Sequence, residues 1–274
     1  MPELPEAETI ARDLRGRVVG KKVAHVQVAK PDILAPGLTP RRLSAGLRDH
    51  AIREVGRRGK NVVLRFDDGR VLLVNLGMTG RLVFSGAPRA GELRHVAARL
   101  DLDDGHAILY DDIRRFGRIE LLSPAEWEER QKRLGVEPLS DELTAERLHE
   151  LTRGSRVAIR NWLLDQSKLA GVGNIYANEA LFRAGIRPTR RAGTLTRRET
   201  AALRDALRDV LAEAIAARGT TVSDYRDGAG EAGGFGPQLR VYGREGEPCR
   251  VCGTPIKRVV IGGRSAFYCP RCQR

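Results

Sequence analysis

The 274 residues read as an α+β protein in three parts: a strand-rich body, a helical region and a small metal-stapled tail. Three observations carry this reading. Short apolar runs separated by Asp-Gly turns dominate the chain up to about residue 122, the pattern of antiparallel hairpins. Beyond them, apolar residues recur at helical spacing behind two Ser/Thr-x-x-Glu boxes. All four cysteines fall in the last 26 residues. The expected divisions are 1–122, a β-sandwich or barrel-like body; 123–140, a connector with a short helix; 141–222, a helical domain; 223–238, a glycine-rich loop; and 239–274, a zinc segment.

A first helix is expected over 5–18. Pro5 suits its first turn, Glu6 and Glu8 lie at the positive end of the dipole, and Arg12, Arg15 and Arg17 lie toward the negative end. Ala7, Ile10, Leu14 and Val18 form one apolar stripe, and Gly20 ends it. Strands follow. Asn61–Phe66 and Arg70–Asn75 flank Asp67-Asp68-Gly69, and Val96–Leu102 and His106–Asp111 flank Asp103-Asp104-Gly105. The period then changes. Ser123-Pro-Ala-Glu126 opens a helix that Gly135 can close, and 141–219 is helical with breaks near Gly154, Gly171–Gly173 and Gly185–Pro188. Thr196-Arg-Arg-Glu199 opens the last helix, along which Leu203, Leu207, Val210, Leu211, Ala214 and Ile215 keep helical spacing. The five glycines of 223–238 mark a mobile loop.

Lys and Arg total 48 against 35 acids, a formal net charge of +13. Such an excess points to a polyanionic partner, nucleic acid first and an anionic membrane surface second. The longest run of large aliphatics is Val71-Leu72-Leu73-Val74, far short of the ~18 residues that a membrane span needs. The acidic, proline-rich start, Met1-Pro2-Glu3-Leu4-Pro5-Glu6, is unlike a signal peptide, so a cytoplasmic location is expected.

The cysteines follow C-x2-C-x16-C-x2-C: Cys249, Cys252, Cys269 and Cys272. Two such pairs complete a tetrahedron of thiolates around one Zn2+. Four thiolates leave no open position for water, so the metal is structural and takes no part in catalysis. Between and around the pairs lies a basic hairpin, with eight Lys/Arg and two acids over 238–274. That charge suits a DNA backbone, and a zinc-stapled dimer contact is the alternative.

Other segments carry weaker signals, each with a plainer reading beside it. Arg57-Arg58-Gly59-Lys60 could bring Lys60 to a phosphate, or could be a solvated turn. Leu169–Asn178 is a glycine-rich turn between helices that could cradle a phosphate with Asn174, or simply carry an Asn cap. Arg114-Arg115-Phe116-Gly117 could wedge into a base stack, or place a core Phe between surface arginines. Removal of Met1 would leave Pro2 as a terminal secondary amine beside Glu3 and Glu6. Such an amine can attack a sugar carbon and form an iminium, with a carboxylic acid protonating the ring oxygen. The same six residues also make an ordinary helix start.

Taken together, Pro2-Glu3-Leu4-Pro5-Glu6, Asn75-Leu-Gly-Met78-Thr-Gly80, Arg114-Arg-Phe-Gly117, Gly171-Val-Gly-Asn-Ile-Tyr-Ala177 and the four-cysteine segment with Phe267-Tyr268-Cys269 resemble the bacterial formamidopyrimidine-DNA glycosylases. The resemblance runs from residue 2 to residue 274. It implies a helix–two-turns–helix motif in the helical domain, a β-hairpin zinc finger, and a monomer acting on damaged double-stranded DNA. It implies an enzyme that flips out and excises oxidised purines such as 8-oxoguanine and formamidopyrimidines, then cuts the strand by β,δ-elimination. Pro2 would be the nucleophile, Glu3 the acid, Glu6 a supporting carboxylate and Lys60 a phosphate ligand. Met78, Arg114 and Phe116 would fill the vacated stack; His95, Asn174 and Arg264 would contact DNA; the loop 223–238 would close over the everted base.

Ile113 stands where the family usually has Pro, and Asn75 where His is frequent. Two alternatives stand beside this reading: an endonuclease VIII-like glycosylase for oxidised pyrimidines, and a non-catalytic zinc-dependent protein that binds damaged DNA.

Overall fold

The structure, a computed structural model, describes residues 2–88, 90–221, 225–228 and 231–274. Its strands and helices run in the order α1 (Leu4–Val18), β1 (Val23–Val28), α2 (Pro40–Leu47), β2 (Ile52–Arg58), β3 (Asn61–Phe66), β4 (Val71–Asn75), β5 (Arg81–Phe84), β6 (Val96–Leu102), β7 (Ala107–Asp111) and β8 (Arg118–Leu122). Then come α3 (Pro124–Lys132), α4 (Ala145–Thr152), α5 (Ile159–Leu163), α6 (Asn174–Arg183), α7 (Arg197–Ala216), β9 (Lys257–Ile261) and β10 (Arg264–Tyr268). The chain divides into two compact units, one of residues 1–133 and 215–236, the other of 134–214 and 237–274.

The first unit holds the strand-rich body, and it also takes in 123–133 and 215–236, which the sequence assigned to the connector, the helical domain and the glycine-rich loop. Two four-stranded antiparallel sheets, ordered β1-β6-β7-β5 and β2-β3-β4-β8, share one core. Both faces of β3 and β4 are buried: Val62, Leu64, Leu72 and Val74 face that core, while Val63, Val71 and Leu73 pack under Trp127 of α3. The stripe Ala7, Ile10, Leu14 and Val18 lies fully buried in the same core, so α1 is fixed along its whole length. Burying each of Ile10, Leu14 and Val18 contributes about 1.5–3 kcal/mol.

The two Asp-Asp-Gly turns are three-residue hairpin loops. Phe66 and Leu102 donate their N–H to the carbonyls of Arg70 and His106, and Gly69 (φ 82°) and Gly105 (φ 85°) take the left-handed position. Ser123 caps α3 in a reciprocal box with Glu126, as expected, but Gly135 does not close the helix. It ends at Lys132, and Gly135 instead lies against the Lys168 backbone, where a Cβ would come within 2.2 Å of the carbonyl oxygen.

In the second unit, shorter segments replace the expected near-continuous helical stretch: α4 and α5 have 8 and 5 residues. The two-turn connection before α6 is held by Gln166, whose amide donates to the Leu164 and Val172 carbonyls and accepts the Gly171 N–H. The N-cap of α6 is Gly173, so Asn174 is its first helical residue rather than its cap. The β9–β10 hairpin packs on α6, where Phe182, Val241, Ile256, Cys249 and Cys269 form a small core. Of the expected loop 223–238, residues 223, 224, 229 and 230 lie outside the described residues.

Candidate functional site

The first unit gathers chemistry at one end of its sheets. Asn61 pairs with Asn75, and Asn75 with Arg118, so the β2–β3 turn, the end of β4 and the start of β8 are side by side. Lys60 lies in that turn, half-buried. Arg57 donates to Gly59 O at 2.9 Å and to Glu8 Oε2 at 3.2 Å, which ties the turn to the second turn of α1. The start of α1 holds the predicted carboxylates. Glu3 and Glu6 are each 1% exposed, and Glu6 Oε2 accepts the Glu3 N–H at 2.8 Å. Glu6 Oε1 accepts the Thr220 N–H at 2.8 Å, so one carboxylate bridges the helix start and the 218–221 segment. Pro2 is buried just ahead of this turn, and Met1 lies outside the described residues.

Two connections cross between the sheets at the same end: 76–80 joins β4 to β5, and 112–117 joins β7 to β8. They are pinned together by Asp112, 1% exposed. Its Oδ1 accepts the Thr79 hydroxyl at 2.5 Å; its Oδ2 accepts Gly117 N at 2.9 Å and the Tyr110 hydroxyl at 3.0 Å. Thr79 Oγ1 in turn accepts Arg114 N at 3.1 Å. Gly77, at φ 58°, closes against the Phe116 carbonyl carbon, where a Cβ would lie at 2.5 Å. Burial, reinforced by the Asp112 charge, pushes the Tyr110 phenol well above its ordinary pKa, so it remains a donor.

This clamp turns three predicted residues outward. Phe116 is 58% exposed and Met78 37%, with the Arg114 guanidinium 4.6 Å over the Phe116 ring. The core reading of Phe116 is therefore wrong. Ile113 is exposed beside them, and Asn75 spans Asn61 Oδ1 and the Gly77 N–H, bracing the 76–80 turn. His95 is exposed at the start of β6, its N–H held by Asp111 Oδ1 at 2.6 Å.

The second unit brings Asn174 and the finger hairpin together. Asn174 Nδ2 donates to the Ser265 carbonyl at 3.0 Å, next to Arg264, which is exposed at the start of β10 after the Gly262-Gly263 turn. The four cysteine sulfurs lie within 4.8 Å of one another and are unbridged. Cys252 Sγ is 3.5 Å from the sulfurs of Cys269 and Cys272, and Cys249 Sγ is 4.0 Å from Cys272. Zn–S bonds of ~2.3 Å in a tetrahedron separate the sulfurs by about 3.8 Å, so the donor set fits the ion.

Residues 1–119 match the profile of the formamidopyrimidine-DNA glycosylase N-terminal domain, 134–226 that of its H2TH domain, and 246–274 that of the zinc finger found in FPG and IleRS. The chain belongs to the formamidopyrimidine-DNA glycosylase family. A relative of that name from Pelotomaculum thermopropionicum is 44% identical over 277 residues, covering 100% of this chain and 99% of its own. Among solved structures, the MutM (FPG) protein of Thermus thermophilus has a TM-score of 0.86 and 40% identity, covering 99% of this chain and 98% of its own. A Lactococcus lactis FPG variant in complex with DNA containing Fapy-dG has a TM-score of 0.90 and 31% identity, with all of both chains covered.

As a formamidopyrimidine-DNA glycosylase family member, the chain is a DNA repair glycosylase, and its four thiolates hold one structural zinc. Among the described residues no helix is long and apolar enough to cross a membrane. The family motifs do not name every residue that builds the site. Asp112 is the hub of the paired loops, Arg160 and Asn178 hold Asn174, and Glu179, fully buried, accepts the backbone N–H groups of Arg240, Val241 and Tyr242. Their sequence signal is only a charged or amide residue inside an apolar pattern.

Proposed function

We propose that this chain is a bifunctional glycosylase and AP lyase that removes oxidised purines from duplex DNA. The observation that carries the reading is the placement of Pro2 directly before a helix turn in which Glu3 and Glu6 are buried and held. With Met1 removed, the Pro2 secondary amine attacks C1′ of the everted nucleotide. The C1′–N9 bond breaks and the base leaves with a proton, while Glu3 protonates the ring oxygen and Glu6 supports the site. A secondary amine gives an iminium that cannot be neutralised by losing a proton from nitrogen, so it remains an electron sink. Loss of a C2′ proton then expels the 3′ phosphate, and a second elimination expels the 5′ phosphate, leaving a one-nucleotide gap.

Lys60 holds a phosphate at the reacting sugar in this reading, and Met78, Arg114 and Phe116 occupy the space the base leaves, with Arg114 facing the orphaned cytosine. Asn174 takes a backbone phosphate, Arg264 enters the minor groove, His95 adds a DNA contact and the 223–238 segment covers the everted base. The Fapy-dG-containing DNA bound by the Lactococcus protein supports a formamidopyrimidine substrate. The net charge of +13 supports a duplex partner. The protein works as a cytoplasmic monomer on this account.

Parallel excision assays on duplexes with 8-oxoguanine opposite cytosine and with 5-hydroxycytosine test the substrate class. Faster release from the first is expected. Preference for the second would place the chain with the pyrimidine-type relatives, and binding without release would make it a non-catalytic damage binder.

A further inference from the structure

Glu6 accepts a hydrogen bond from Thr220 N–H, so whatever fixes residues 218–220 also fixes one of the two carboxylates at the helix start. The approach is close. A Cβ on Gly219, which sits at φ 87°, would lie 3.0 Å from Glu6 Oε1 and 2.9 Å from the Tyr225 ring. One residue earlier stands Arg218, at φ 61°, a left-handed conformation that strains a side chain with a Cβ. Its guanidinium compensates. Nε donates to Asp227 Oδ2 at 2.7 Å, and Nη2 lies 2.6 Å from both Asp227 Oδ2 and Asp13 Oδ2.

Neither acid is loosely placed. The Asp227 side chain is fully buried and Asp13 is 14% exposed on α1, two turns after Glu6. Asp13 Oδ2 also accepts the Gly228 N–H at 3.0 Å, Asp227 Oδ1 accepts the Glu231 N–H at 2.9 Å, and the Tyr225 hydroxyl donates to the Arg218 carbonyl at 3.2 Å. One cation thus joins α1 to both sides of the segment that touches Glu6. We propose that Arg218, bridged to Asp13 and Asp227, is a positioning residue for base excision: it locks residues 218–220 in the register that presents Thr220 N–H to Glu6.

The inference rests on the function proposed above and adds a specific demand. Base release needs the aligned carboxylates as well as the amine, whereas a preformed abasic site offers C1′ to the amine directly. A lost bridge therefore slows the first reaction and spares the second. Arg218→Gly is the informative variant, because glycine accepts the left-handed backbone without strain and removes only the bridge. Asp13→Asn breaks the bridge from the other side, and Arg218→Lys restores a cation.

Single-turnover release of 8-oxoguanine opposite cytosine should fall about tenfold in Arg218→Gly and Asp13→Asn, with strand cleavage at an abasic duplex within about twofold of wild type. Arg218→Lys should recover part of the loss. Wild-type release by Arg218→Gly would overturn the proposal, as would a parallel fall of both reactions, which would mark the bridge as support for the fold alone. Wild-type protein inactive on both duplexes would instead refute the functional reading, and the proposal with it.

Discussion

The Arg160 guanidinium, 1% exposed, donates through Nη2 to Asn174 Oδ1 at 2.8 Å and to the Ser265 carbonyl at 2.9 Å. Its Nη1 donates to the Ile261 carbonyl at 3.1 Å, so a single side chain ties the start of α6 to both strands of the finger hairpin. Asn178 completes the arrangement by donating to Asn174 Oδ1 and accepting the Phe267 N–H. Asn174 and Arg264 therefore owe their relative placement to one buried cation.

Arg160→Met should cost about 2–4 kcal/mol, because it takes a donor from four acceptors, Asn161 Oδ1, Asn174 Oδ1 and the Ile261 and Ser265 carbonyls, around a buried site. Urea unfolding monitored by circular dichroism measures this. On the proposed function, duplex affinity should weaken together with stability, since Asn174 and the hairpin tip lose their common anchor.

The paired loops separate support from contact. Asp112→Ala removes the acceptor for Thr79, Tyr110 and Gly117, and should destabilise the protein by about 2–4 kcal/mol. Phe116→Ala alters an exposed ring and should change stability by less than about 0.5 kcal/mol. On the proposed function, excision should nevertheless fall about tenfold or more in Phe116→Ala, because the vacated stack would be left unfilled. Thermal melts run beside excision assays distinguish the two.

Glu199 gives a pH signature. Its fork of hydrogen bonds from Arg190, with the N–H and hydroxyl of Thr196, holds the carboxyl at about 2 against an ordinary 4.5. A depressed folded-state value means that the contribution is complete above the unfolded pKa and disappears as pH falls from near 4.5 toward 2. The stability difference between wild type and Glu199→Gln should be largest at neutral pH and shrink across that window in denaturant titrations.

Zinc removal should unfold the small core around Cys249 and Cys269 and release the hairpin that bears Arg264. Binding to any duplex should weaken, and the residual affinity should depend less steeply on salt because a cationic contact is lost. Fluorescence anisotropy before and after chelation, with zinc quantified, provides the check. Unchanged binding by zinc-free protein would contradict the finger's role.

Much of this was legible in the letters because the relevant forces are local. The Asp-Asp-Gly loops, the Ser123–Glu126 and Thr196–Glu199 boxes, the apolar stripe of α1 and the four cysteines each announce themselves within a few residues. Gly135 looked like a helix stop because glycine serves there so often, yet its real constraint is the Lys168 backbone 33 positions on. By its letters the arginine-flanked Phe116 fits either exposure or the core; what decides is the Asp112 clamp, which uses Thr79 from another loop. Arg190 as partner of Glu199 and Arg218 as the bridge between Asp13 and Asp227 were invisible for the same reason. Ion pairs across distant segments leave no period to read.

On the proposed mechanism the amine of Pro2 forms the bond to the sugar. Borohydride trapping on a duplex carrying 8-oxoguanine opposite cytosine, followed by peptide mapping of the adduct, tests it directly. The expected product is a covalent complex whose modified peptide begins at Pro2, in protein shown by mass spectrometry to lack Met1. Failure of such zinc-loaded protein to trap on this duplex or on an abasic one, or an adduct mapped to a lysine instead, would contradict it.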